Sequence, residues 1–152
     1  MSQEPVFLFS ATFRIKGAGN LHGEITRAMG ISPTFSYTKG EGTASDSKDS
    51  RQWVDDLWAL SSPLPEKSDL SAHLRWLWET LSPRKEYLER LVREGVEMDI
   101  ACVYKSDSET AGFSIDADAL AVACELNVPI EVSVMIDDIP ENEEWNKVSI
   151  DS

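Results

Sequence analysis

Hydrophobic residues alternate from the start of the chain. Phe7, Phe9, Ala11, Phe13 and Ile15 fall on one side of residues 6–15, which predicts a strand with one strongly apolar face. The period then lengthens. Leu21, Ile25, Ala28 and Met29 share a helical stripe, with Asn20 as N-cap and Gly30 at the left-handed stop. Ile31-Ser32-Pro33 ends that helix, Thr34 to Thr38 reads as a short strand, and Leu57 to Leu60 as another that brings Trp58 to the sheet.

The middle of the chain is helical. Leu70, Leu74, Leu77, Trp78 and Leu81 form one stripe, capped by Ser68 or Asp69. Ser82-Pro83 supplies the N-cap and first-turn proline of a second helix, whose stripe is Tyr87, Leu88, Leu91 and Val92 and whose stop is Gly95. Residues 96–104 alternate again, with Val96, Met98, Ile100, Cys102 and Tyr104 on one face. Gly112 to Ile115 reads as a short strand. A helix follows with Asp116 as cap, Ala117, Leu120, Ala121 and Cys124 as its stripe, and Asn127-Val128-Pro129 as its stop. Residues 130–136 close the pattern, with Ile130, Val132, Val134 and Ile136 inward and Glu131, Ser133 and Met135 outward.

One-sided alternation in three strands argues against a parallel sheet covered on both faces. The predicted fold is α+β: a two-layer sandwich with one mixed, mainly antiparallel sheet and helices on one face, built around two strand–helix–strand units. The helix stops Met29-Gly30-Ile31-Ser32-Pro33 and Leu126-Asn127-Val128-Pro129 are chemically alike. Ordinary chain punctuation accounts for that likeness without a duplication. The outward positions, Ser10, Thr12, Arg14, Glu97, Asp99, Lys105, Glu131 and Ser133, predict a wet and mainly acidic open face.

Charge adds a direction to this picture. The chain has 152 residues and a net charge of −13. Residues 1–96 hold 13 acidic and 12 basic residues, whereas residues 97–152 hold 14 acidic residues against Lys105 and Lys147. Such a field repels nucleic acid and anionic membrane and attracts basic partners. The length fits one domain, residues 1–152, with residues 39–52 as a flexible polar loop and 137–152 as an acidic C-terminal tail interrupted by Trp145, Val148 and Ile150. The first residues lack a signal-peptide pattern and no stretch is apolar enough to span a membrane, so a cytoplasmic protein is expected.

The strand, then Gly30-Ile31-Ser32-Pro33-Thr34 with Ser36-Tyr37 and Lys39-Gly40, then Leu57-Trp58-Ala59-Leu60 and the helix from Leu70 to Leu81, resembles domain-of-unknown-function family 4279. The resemblance spans about residues 6–136 and implies a small bacterial protein. It carries over no activity and no catalytic residue. The insert between Lys39 and Trp53 and the acidic tail after Ile136 depart from the family pattern.

Candidate chemistry is sparse. Residues 39–52 are rich in glycine and serine but lack the spacing of a phosphate loop, and Asp46 and Asp49 do not fit a calcium loop. His22 and His73 have no partner at metal-ligand or triad spacing, and no serine sits in a nucleophile elbow. Cys102 and Cys124 read as buried free thiols. No catalytic, cofactor or metal residue is therefore assigned. Trp76 points nearly opposite the leucine stripe of its helix, where either a neighbouring element or a partner must cover it.

The leading functional expectation is a small acidic binding protein, an immunity-type inhibitor of a basic protein. Glu97, Asp99, Glu131, Asp137 and Asp138 would steer that partner, with Trp76 as anchor. The competing expectation is a ligand-sensing or self-assembling domain, in which a homodimer forms through sheet edges. An enzyme ranks last.

Overall fold

Strand β1 (Phe7–Lys16) is the centre of the molecule, and its register explains the rest. It pairs antiparallel with β3 (Leu57–Ser61) on one side and with β4 (Glu97–Ser106) on the other. Short β2 (Phe35–Tyr37) adds antiparallel to β3, and β5 (Ile130–Ile136) adds parallel to β4. The order is β2-β3-β1-β4-β5, a mixed and open five-stranded sheet. These relationships come from a computed structural model that describes residues 6–38, 56–108 and 112–136. The expected loop at 39–52 and tail at 137–152, with Trp53 and Trp145, lie outside the described residues.

Alternation places one apolar row of each strand against the helices. Phe9, Phe13, Ile15, Trp58, Ile100, Cys102 and Tyr104 meet Ile25 and Met29 of α1 (His22–Met29), Leu74 and Leu77 of α2 (Leu70–Leu81), Leu88 and Leu91 of α3 (Lys85–Arg93), and Val122 and Leu126 of α4 (Ala121–Leu126) in one core. The architecture is α+β with the helices on one face of the sheet. Asp69 caps α2 by accepting from the Ala72 amide at 2.9 Å. Gly30 and Asn127 take the left-handed conformation that ends α1 and α4, at φ 67° and 55°. Buried Trp58 donates its indole N–H to Thr26 Oγ1 at 3.1 Å, which ties β3 to α1.

Several local expectations are corrected. Asn20 is not the N-cap of α1, because a 3-10 turn over Gly19–Leu21 leads into it. Residues 112–115 form no strand. Phe113 instead packs on Tyr104 and Phe9, at ring-centroid distances of 4.9 and 5.7 Å. The helix that follows begins as a 3-10 turn over Ala117–Leu120. That turn advances about 120° per residue rather than 100°, so the stripe shifts phase. Ala119, Val122 and Leu126 are buried, while Ala117 and Cys124 are exposed. The second strand–helix–strand unit is thus β4–α4–β5, with its strands neighbouring and parallel.

Candidate functional site

The open face of the sheet carries three of the six expected site residues, Glu97, Asp99 and Glu131. Arg14 and Asp99 are direct partners in the β1–β4 register. Arg14 donates from Nε to Asp99 Oδ1 at 2.7 Å and from Nη2 to Oδ2 at 2.6 Å. Lys16 Nζ reaches the same Oδ2 at 2.9 Å, and Glu131 on β5 lies 3.5 Å from Arg14 Nη2. Burial alone would push the Asp99 carboxyl upward, but the hydrogen bonds from Arg14 and Lys16 outweigh it and hold the carboxyl below its usual range.

This changes the expected role of Asp99. It is 7% exposed and already holds two cations, so its charge is spent inside the protein rather than on a partner. Nor is the open face mainly acidic. Arg14, Lys16 and Lys105 balance Glu97, Asp99 and Glu131, and only Glu97 and Glu131 of these six are exposed. Thr12 and Ser61 share a hydroxyl contact of 2.8 Å between the charged end and the far end of the face. Over all described residues there are 15 acidic and 10 basic side chains, a net of −5 out of the chain's −13. Asp137 and Asp138 lie outside the described residues. Trp76 is half-buried and packs against the core, so the fold itself covers much of the ring.

The far end of the sheet has a different character. Strand β5 pairs only with β4 among the described residues. Val132, Val134 and Ile136 face the helix side by register, as the alternation predicts, but they are 38%, 54% and 47% exposed. Met135 on the opposite side is 52% exposed. The expectation that the first three are buried fails because β5 is an edge strand: Ile130 at its beginning packs against the core, and no described element covers its end. Phe7 and Phe113, each more than a third exposed, continue the apolar surface across Tyr104.

His73 and Cys102 are held structurally. His73 is buried, with Nδ1 2.8 Å from Ser62 Oγ, and burial pushes its pKa below the usual value. Ser62 also accepts from the Leu64 amide, so the contact fastens the loop after β3 to α2. The Cys102 thiol is buried and pushed up to about 11, which keeps it protonated and inert. Cys124 is free and exposed. Among the described residues no three His, Cys, Asp or Glu side chains gather as a metal site, and no helix is long and apolar enough to cross a membrane.

The family model described as a domain of unknown function, DUF4279, matches residues 7–137. The chain belongs to the DUF4279 family. The DUF4279 match begins at the first residue of β1 and ends one residue beyond β5, so the whole described sheet lies within it. No curated protein and no solved structure matches the chain. The features of this DUF4279 chain that the sequence left unread are the Arg14–Asp99 pairing, the Ser62–His73 contact and the exposure of β5. The first two depend on strand register and on a loop returning to a helix. For β5 the one signal was Met135, a large apolar residue on the face that otherwise carries Glu131 and Ser133.

Proposed function

We propose that this DUF4279 protein is a self-assembling binding domain, which joins its sheet to that of a second copy through β5. The observation that carries this reading is the edge strand itself. It has seven residues, four exposed large apolar side chains, and a backbone paired on one side only among the described residues.

Its sequence, Ile-Glu-Val-Ser-Val-Met-Ile, is nearly symmetric about Ser133. In an antiparallel two-fold pairing centred on Ser133, Ile130 faces Ile136 of the copy and Val132 faces Val134. Glu131 faces Met135, so no like charges stand opposite each other. The two sheets would run on as one, with both helical layers on the same side. Free Cys102 and Cys124 suit a reducing, cytoplasmic setting.

A second reading, the immunity-type inhibitor of a basic protein, draws on the charge of residues 97–152 and on β5 running directly into Asp137-Asp138. Glu97 and Glu131 would be its steering acids within the described residues. Salt separates the two. Each copy carries −13, so self-association strengthens as salt screens the repulsion, whereas binding to a basic partner weakens.

Sedimentation of the purified protein over a range of concentrations, at low and high salt, tests the proposal. A dimer that grows with concentration and with salt, and that Val132→Lys with Val134→Lys abolishes, is the expected result. A wild-type monomer at the highest concentration and salt would overturn it.

A further inference from the structure

We propose that the open face also holds a small-molecule site, a hollow of about 260 Å³ that takes a free amino acid with an apolar side chain. The site follows from a mismatch in strand length. Strand β3 stops opposite Thr12, which leaves the first half of β1 without it. The loop after β3 takes over the pairing: the Ser62 amide donates to the Ala11 carbonyl at 2.9 Å, and the Phe9 amide to the Glu66 carbonyl at 2.8 Å. Glu66 is thereby brought to the rim of a depression floored by Leu8, Val103 and Met135, with Ser10 and Lys105 on its wall.

The polar groups there are unmatched. Glu66 Oε2 is shut away from water and has no hydrogen-bond donor. A buried carboxylate oxygen without a donor is costly and rare. Lys105 makes no ion pair or hydrogen bond among the described residues, and Glu66 and Lys105 do not pair with each other. An anion and a cation held apart over an apolar floor suit a molecule with one ammonium, one carboxylate and an apolar body. The Glu66 carboxylate turns out of its buried position to meet the ammonium, the ligand carboxylate goes to Lys105, and the side chain lies on Leu8, Val103 and Met135. The volume falls below the range of about 300–1,000 Å³ typical of drug-sized ligands, which favours a molecule as small as leucine or methionine.

Titration calorimetry with L-leucine and L-methionine tests this directly. Saturable binding is expected for both, with N-acetyl-leucine, leucine amide and glycine each weaker by about tenfold or more. Glu66→Gln and Lys105→Gln should each weaken leucine binding by about tenfold while leaving the melting temperature of the unliganded protein nearly unchanged. The β5 double-lysine variant should bind leucine as the wild type does, which separates this site from the pairing edge. No heat from any apolar amino acid, or binding that keeps its strength in both charge variants, would overturn the proposal.

Discussion

Arg14 and Asp99 stand directly opposite each other in the β1–β4 register and are joined by two parallel hydrogen bonds of 2.7 and 2.6 Å. The Asp99 side chain is 9% exposed and that of Arg14 25%, so the pair is largely removed from water without being sealed from it. Removing one partner leaves the other poorly solvated. Asp99→Ala is expected to lower unfolding stability by about 1–3 kcal/mol in urea titrations at neutral pH. The pH dependence has a definite sign. The folded carboxyl sits below its usual 3.8, so its contribution is complete above 3.8 and is lost as pH falls through the folded value. The Asp99→Ala protein should therefore lose less stability than the wild type when acidified through that window.

His73 gives a second titration, at milder pH. Burial depresses its folded pKa below the usual 6.5 and outweighs the opposing pull of the Pro65 and Ser68 backbone. The unfolded chain takes up the proton first, so stability is full above 6.5 and declines as pH falls from 6.5 through the folded value. Denaturation midpoints measured between pH 8 and pH 5 should fall, and His73→Gln should flatten that slope. A slope unchanged in the variant would assign the effect to other groups.

The two thiols should separate cleanly. Cys124 is exposed and Cys102 is buried with its pKa near 11. A thiol reagent at neutral pH is expected to modify one cysteine per native chain and both after denaturation. Rapid reaction of both in the native protein would contradict the packing of β4.

Gly30 ends α1 at φ 67°, and a Cβ there would lie 3.3 Å from Arg84 Nη2. Arg84 also donates from Nε to the Met29 carbonyl at 2.7 Å, so the guanidinium is part of the helix end. Gly30→Ala combines backbone strain with displacement of that side chain. It should cost about 1–2 kcal/mol, read as a lower melting temperature. The same change at Gly23, within α1 and with open space at its Cβ position, should be neutral or stabilising.

Local pattern and tertiary placement account for what the sequence revealed and what it concealed. β1 and α2 were legible because each has a single apolar face and distinct punctuation, and the α+β class follows from such elements. The bounds of β5 were legible for the same reason, but its exposure was not. Alternation tells which side of a strand is apolar, not whether a helix reaches over it. Residues 112–115 alternate like a strand, yet Phe113 finds its partners in an aromatic cluster rather than in a ladder. Asp99 was legible as an open-face residue, but its pairing with Arg14 depends on the register of two distant segments. The hollow beside Glu66 depends on β3 being shorter than β1, a property of neither strand alone.

The central place of β1 bears on how the chain is made. Its partner β4 lies far downstream, with Arg14 and Asp99 separated by 85 positions. During synthesis, β1 leaves the ribosome long before the strand that covers its second edge. The backbone N–H and C=O groups along that edge of β1 must then wait, unpaired by their final partner, until β4 emerges. The middle of the sheet is completed only once β4 has been made, so until then the nascent chain carries an open strand edge of the kind that invites mispairing.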